Sequence, residues 1–389
     1  LDNKVNIGIS LVDFTPGRMG GVETYVRNLV SWLAVNDQEN RYTLICTNHN
    51  VGYFDSIIDQ VETLVFKNDK NSPGRLLRSF TRKVFRVDLV RIEIDRLSLD
   101  LLHNPFTSVR ESKFKTPFIV TFHDIQHHYY PEFFKPKHVR GRNRIYRRAA
   151  FEADKIIADS HHTKQTLIES YKVPGNHIDV VHLGVGSEYR KIDDQKELEL
   201  ERNSLGLTKP FLYYPAATWL HKNHSNLLKA ISILKNQYHF DGELVLTGVA
   251  TPARDSLMMK ISELGLQDSV RVLGYLPYDK LPVIYNLARI MVFPSLFEGF
   301  GFPALEAMAC GCPVICSNVT SLPEVAGDAA GYFDPTAPEE IADCINKLWN
   351  DDASLQKMQE AGIKRAEQFT WEKTARLTRE IYMKTALKL

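Results

Sequence analysis

Short apolar runs rich in Val, Ile, Leu and Phe alternate along this chain with amphipathic stretches long enough for helices. The runs sit at 5–12, 42–47, 99–103, 117–122 and 155–158. A second series follows at 211–217, 243–248, 270–275, 289–294 and 313–316. Continuous apolar strands separated by helices predict parallel sheets covered on both faces. Two such series predict two doubly wound α/β domains. Between them, 187–210 is highly charged and has no strand-like run. It predicts a linker and a short helix before Pro210 opens the next strand. The domains are therefore placed at 1–193 and 194–370. The last stretch, 371–388, sets Trp371, Ala375, Leu377, Ile381 and Tyr382 partly on one side, which predicts an amphipathic helix.

Length supports the division, since 389 residues exceed the roughly 250–300 at which a single core stops growing. With 44% hydrophobic and 24% charged residues, the composition excludes wholesale disorder. No run of about 18 apolar residues marks a membrane span. Leu1-Asp2-Asn3-Lys4 lack the apolar core of a secretory signal. Five cysteines, an odd number, form no disulfide framework and fit a reducing cytoplasm. The net charge of +1 is uneven. Residues 1–190 hold 27 Lys and Arg against 22 Asp and Glu, and residues 191–389 hold 21 against 25.

Two local patterns point to chemistry. Gly17-Arg18-Met19-Gly20-Gly21-Val22-Glu23 lies between the first apolar run and a helix expected at 22–34. Gly20 and Gly21 there let backbone N–H groups approach an anion at a helix N-terminus, as in a phosphate cradle. A plain strand-to-helix turn is the alternative. The pattern is neither G-x-G-x-x-G nor a P-loop, which disfavours a nicotinamide dehydrogenase or an NTPase. The sharper string is Glu298-Gly299-Phe300-Gly301-Phe302-Pro303-Ala304-Leu305-Glu306, after the run 289–294. Pro303 suits the first turn of a helix reaching about Cys310. Glu298 then lies on the loop and Glu306 one turn into the helix, so the two carboxylates can address different parts of one ligand. One can accept from ribose hydroxyls and the other from sugar hydroxyls, while the loop amides hold a phosphate. The competing reading is a solvated pair of glutamates flanking a turn.

Glu298 and Glu306, seven residues apart, resemble the E-x7-E motif of family-4 retaining glycosyltransferases of the GT-B fold. Further similar strings are Gly20-Gly21-Val22-Glu23, Thr121-Phe122-His123-Asp124, His221-Lys222-Asn223, Ser321-Leu322-Pro323-Glu324 and Phe369-Thr370-Trp371-Glu372. They run over essentially the whole chain in the family's order. The resemblance implies two Rossmann-like domains facing across a cleft. The N-terminal domain would bind the acceptor and the C-terminal domain a nucleotide-diphosphate sugar, with helix 371–389 crossing back to the first.

Histidine can hydrogen-bond a sugar hydroxyl or shuttle a proton. His123 ends the run 117–122, and the resemblance implies that it faces the donor sugar near its 6-hydroxyl. Asp124 would orient it or line the acceptor side. Neighbouring His127 and His128 lack a further ligand cluster and are not taken as a metal site. Lys222 would supply the cation that a departing nucleoside diphosphate needs, the alternative being a plain surface lysine. Family members commonly carry Arg five residues before this Lys, where this chain has Ala217. Arg18, the glycine loop or helix dipoles are candidates to compensate. Tyr275 and Leu276 resemble the segment that meets the base through backbone groups. No Asp-x-Asp occurs, which favours transfer without a metal or other cofactor. Cys310, Cys312 and Cys316 span a helix end and a strand, and are read as buried small residues.

The implied activity is metal-independent front-face transfer of a hexose to a hydroxyl of a glycan or lipid-linked acceptor. His123, Glu298 and Lys222 would be catalytic. Gly20, Gly21, Asp124, Tyr275, Leu276, Phe300, Gly301, Phe302 and Glu306 would bind substrate. The stretch Ala217-Thr218-Trp219-Leu220-His221-Lys222-Asn223-His224 resembles that of bacterial polysaccharide mannosyltransferases, which points to GDP-mannose. UDP-glucose or UDP-N-acetylglucosamine is the alternative donor. A nucleotide-sugar epimerase of the same fold and a non-catalytic binder are the competing classes. Basic segments at 75–91 and 135–148 fit either peripheral contact with anionic lipid, at the inner face of the membrane, or an anionic-acceptor groove. The modest overall charge speaks against nucleic acid.

Overall fold

The computed structural model describes residues 4–66, 89–107 and 114–387. The chain divides into two compact units, Leu1–Gly184 with Trp371–Leu389, and Val185–Thr370. The break precedes the sequence estimate of 193/194 because 185–193 is tied to the second unit. Val185 N–H donates to the Phe369 carbonyl, and Ile192 N–H to Asn286 Oδ1. The expected short helix in the linker is Gln195–Ser204, N-capped by Asp194.

The described strands of the first unit are β1 (Asn6–Ser10), β2 (Arg41–Thr47), β3 (Glu62–Phe66), β4 (Leu101–Asn104), β5 (Phe118–Phe122), β6 (Lys155–Ala158) and β7 (Ile178–Val180). They form one sheet in the order β3-β2-β1-β4-β5-β6-β7, and every pairing is parallel. Ile7 lies opposite both Tyr42 and Leu101. The second unit holds β8 (Phe211–Pro215), β9 (Glu243–Thr247), β10 (Val270–Gly274), β11 (Ile290–Phe293), β12 (Val314–Ser317) and β13 (Ala330–Phe333). Their order is β10-β9-β8-β11-β12-β13, again parallel throughout. Ile7, Ile9, Leu44, Leu101 and Ile119 in the first sheet are almost fully buried. So are Leu212, Val245, Met291, Val292 and Ile315 in the second. Central strands covered on both faces need apolar side chains at consecutive positions, which is why these runs stand out.

Each sheet has one place where the strand order reverses, between β1 and β4 and between β8 and β11. Loops leaving neighbouring strands there turn to opposite faces and open a crevice at the carboxyl ends. Gly20 and Gly21 follow β1, and Pro105 and Thr107 follow β4. Lys222 follows β8, and Glu298 follows β11.

The helix Trp371–Ala386 packs on the helix Gly21–Asn36 and on β4. It buries Trp371, Thr374, Ala375, Thr378, Ile381 and Tyr382, with Leu377 half-buried. A chain of buried hydrogen bonds ties it in. Tyr382 OH lies 2.6 Å from His103 Nδ1, and His103 Nε2 lies 2.8 Å from Thr121 Oγ1. Thr121 Oγ1 in turn lies 3.0 Å from Tyr25 OH. Burial pushes the His103 imidazole down to about 3, so the network runs through a neutral ring.

Candidate functional site

In the second unit, the loop after β8 makes a single 3-10 turn, Leu220–Lys222, and then Asn223 adopts a left-handed conformation with φ of 57°. Asn223 Nδ2 donates to the carbonyls of Pro294 and Pro335, and Tyr214 OH donates to the Lys222 carbonyl. The turn is thus clamped on three sides. Its lysine reaches Glu298, with Nζ to Oε1 at 2.5 Å and side-chain exposures of 17% and 13%. Lys222 Nζ also stands 5.6 Å over the Phe293 ring. Two residues separated by 76 positions meet because their strands flank the reversal of the sheet.

The loop carrying Glu298 is fastened as firmly. Glu298 N–H donates to Thr320 Oγ1, and Ser321 Oγ donates to the Glu298 and Phe300 carbonyls. Phe300 is buried against Phe302 and Phe369. Gly301 sits at φ 113° at the head of the helix Phe302–Ala309, where a Cβ would lie 2.7 Å from Leu322 Cδ2. Glu306 lies on that helix, half-buried. It accepts from Tyr285 OH at 3.0 Å and from Tyr189 OH. Burial pushes its carboxyl up to about 7, against the lowering effect of the two tyrosine hydroxyls.

A cavity of about 190 Å³ lies at the C-terminal ends of β8, β9 and β10, lined among others by Thr218, His224, Gly248, Val249, Arg254 and Tyr275. Thr218 and Thr251 bond to each other through their hydroxyls at 2.7 Å. Gly248, at φ 143°, lets the end of β9 approach β8, since a Cβ there would lie 2.5 Å from the Ala216 carbonyl oxygen. His224 is kept neutral, its imidazole pushed down to about 4 by burial. Of the base-recognition pair expected from sequence, Tyr275 lines this cavity and is 59% exposed. Leu276 is not among its lining residues. Arg254 brings a cation that sequence inspection did not single out.

In the first unit, Gly20 is the N-cap of the helix Gly21–Asn36, at φ 52°. That helix end is already met by an anion. Buried Glu23 accepts from Gly17 N–H at 2.8 Å and from Tyr53 OH at 3.0 Å. A phosphate at Gly20 and Gly21 would share the helix dipole with this carboxylate. His123 follows β5. Its Nδ1 lies 2.6 Å from Asp159 Oδ2, its Nε2 lies 2.9 Å from the Pro105 carbonyl, and Tyr25 meets its ring edge-on. Both ring nitrogens are therefore engaged inside the unit, which differs from the expectation of a nitrogen turned to a sugar hydroxyl. Asp124 Oδ1 accepts from Gln126 N–H at the start of the helix Gln126–Tyr129. His127 is buried, with Nε2 at 3.0 Å from Asn143 Oδ1. Cys310, Cys312 and Cys316 are buried, and burial pushes their thiols up.

Of the residues named from sequence, the structure brings Lys222 and Glu298 together and sets Glu306 on the adjoining helix. It also brings in Asp159, Tyr189, Tyr285 and Arg254, which no string in the sequence marks, and Ser321, which belongs to Ser321-Leu322-Pro323-Glu324.

Comparison with known proteins agrees with this organisation. The sequence model described as "Glycosyltransferase Family 4" matches residues 19–189, and "Glycosyl transferases group 1" matches residues 195–365. The chain is 30% identical over 371 residues to O-antigen chain mannosyltransferase B of Escherichia coli, covering 93% of this chain and 95% of that one. It is 26% identical over 309 residues to O-antigen chain mannosyltransferase RfbU of Salmonella typhimurium, covering 78% and 81%. Among solved structures, sucrose-phosphate synthase from Thermosynechococcus elongatus superposes with a TM-score of 0.77 at 20% identity, over 98% of this chain and 99% of that one. WaaG, a glycosyltransferase involved in lipopolysaccharide biosynthesis, gives 0.70 at 15% identity, over 95% and 99%. The fold of these structures is GT-B.

Proposed function

Because the chain belongs to the family-4 glycosyltransferases, we propose that it moves mannose from GDP-mannose to a hydroxyl of a growing polysaccharide or lipid-linked glycan, with retention at the anomeric carbon. The observation that carries this reading is the Lys222–Glu298 pair, held at the reversal of the second sheet. Lys222 meets the charge that gathers on the diphosphate as the glycosidic bond breaks. Glu298 and the amides of Phe300 to Phe302 hold the sugar, and Glu306 accepts from the ribose. The leaving phosphate takes the acceptor's proton while the acceptor oxygen attacks the same face, so no protein nucleophile is required. The protein contributes position and electrostatic stabilisation. Mannose as the sugar rests on the two O-antigen mannosyltransferases.

The deciding experiment offers GDP-mannose, UDP-glucose and UDP-N-acetylglucosamine with lipid-linked and free glycan acceptors and measures nucleoside diphosphate release. GDP release that depends on acceptor, with an α-linked product by NMR, is the expected result. UDP release instead identifies the alternative donor, and a changed sugar without acceptor identifies an epimerase. Turnover is expected to be unchanged in excess EDTA, since Lys222 supplies the positive charge. A loss of activity restored by Mg²⁺ overturns metal independence.

The helix Pro136–Glu152 carries Arg140, Arg142, Arg144, Arg147 and Arg148. Arg142 lies over Phe134 and Arg147 over Phe151, itself 54% exposed. Aromatic groups among basic ones suit a surface of anionic headgroups, and this helix is assigned that contact. The basic stretch 75–91 lies largely outside the described residues. Among the described residues no helix is long and apolar enough to cross a membrane. Co-sedimentation with vesicles containing about 30% phosphatidylglycerol, lost in Arg140→Glu/Arg144→Glu, tests the assignment.

A further inference from the structure

His123 is packed from four sides, and what faces it constrains its protons. Asp159, at the end of β6, sets Oδ2 at 2.6 Å from Nδ1. The Pro105 carbonyl, after β4, lies 2.9 Å from Nε2. Thr107 Oγ1 accepts from the His123 backbone N–H, and the Tyr25 ring covers one edge from the helix Gly21–Asn36. Among the described residues, Asp124 and His103 are the other titratable groups whose charge reaches the ring, while Asp124 and His182 act on Asp159, whose carboxyl burial pushes up against the lowering effect of His123. A carbonyl can only accept, so Nε2 must carry hydrogen. Nδ1 faces a carboxylate that is 2% exposed and whose Oδ1 has no partner. A buried carboxylate in that position is tolerated as an anion only beside a positive charge.

We infer that Asp159 is the positioning residue of His123. It keeps a proton on Nδ1 while the Pro105 carbonyl holds the one on Nε2, so the ring works as a fixed imidazolium and not as a proton acceptor. This rests on the reading that His123 serves the transfer reaction, and it assigns that residue a standing charge in place of a shuttle. The neighbouring carboxylates Asp159 and Asp124 raise the imidazole against the lowering effect of burial, in the same direction. Asp159 is the third residue of Ile157-Ala158-Asp159, at a strand end where nothing in the local sequence marks it.

The test is nitrogen-15 NMR of the full chain labelled at histidine, with His123→Gln identifying the resonances. At pH 8 the wild-type ring is expected to show both nitrogens protonated. In Asp159→Asn the ring is expected to titrate near or below the ordinary value of about 6.5. Turnover of that variant, relative to wild type at the same pH, then falls about thirtyfold at pH 8 and recovers toward pH 6, because only about 3% of the ring stays charged at pH 8. Donor KM stays within about twofold. A bare ring nitrogen in the wild type at pH 8 overturns the proposal, and so does an Asp159→Asn variant with an unaltered pH–kcat profile. If Asp159→Asn does not fold, the wild-type spectrum alone decides. If no nucleotide sugar is turned over, the spectrum still reports the ring, so failure of the transferase reading is seen separately.

Discussion

Replacing Lys222 by alanine lowers kcat by about 10²–10³-fold, with a smaller change in donor KM. The reason is that negative charge on the diphosphate grows from ground state to transition state, so a cation fixed beside it acts mainly on the barrier. Its position is not adjustable, because the backbone of Lys222 and Asn223 is clamped by Tyr214 and by two proline carbonyls. At Ala217 the second cation common in the family is missing, which concentrates the burden on one side chain. Without ligand that side chain is spent on Glu298. Glu298→Gln should therefore do two opposite things. Transfer falls, because a sugar contact is lost. Affinity for the nucleoside diphosphate alone rises about tenfold, or ~1.4 kcal/mol, because Lys222 no longer has an anion to leave. Calorimetry with GDP and UDP checks both arms. Equal or weaker diphosphate binding in Glu298→Gln removes the link between the pair and the donor.

Glu306→Gln stabilises the protein at neutral pH while weakening nucleotide binding. The folded state holds the Glu306 proton up to about pH 7, whereas an exposed glutamate releases it near 4.3. Below both values the carboxyl is neutral in either state and costs nothing. As pH rises between them the folded state retains a proton that the unfolded state has lost, and stability falls. Above about pH 7 the full penalty of the buried charge remains, about 4 kcal/mol at most. Glutamine removes it and still accepts from a tyrosine hydroxyl. The melting temperature of the variant should match wild type near pH 4 and exceed it by several degrees at pH 8. Wild-type affinity for the nucleoside diphosphate should weaken by up to about tenfold from pH 8 to pH 6, as the acceptor for the ribose takes up its proton. The variant should bind weakly at both pH values. A melting difference that does not change with pH would show that the carboxyl ionises normally. A residue that lowers stability where it sits is a sign that binding, not packing, keeps it there.

The central strands were all legible, whereas of the four edge strands only β10 left a run, 270–275, in the sequence. Runs such as Val292 and Phe293 in β11 or Leu44 and Ile45 in β2 are buried on both faces and need consecutive apolar residues. β3, β7 and β13 lie at sheet edges, are short or only partly buried, and leave no comparable run in the sequence. The site divides along similar lines. Glu298 and Glu306 share one loop and helix, so their spacing is written in nine consecutive residues. Asp159 meets His123 across 36 positions and Tyr189 meets Glu306 across more than a hundred. Nothing in either local sequence records such a meeting, which the winding of the sheets brings about.

The hydrogen-bonded chain from Tyr382 through His103 and Thr121 to Tyr25 joins, in one unit, segments that flank the second unit in the sequence. Domains form during synthesis as their residues leave the ribosome. Residues 185–370 are contiguous, and they can settle while translation continues. The first unit must wait for Tyr382, and until then His103 has lost a partner and β4 lacks its covering helix. The first unit is begun before the second and completed after it, and chains halted before residue 371 carry a finished second unit and an unfinished first.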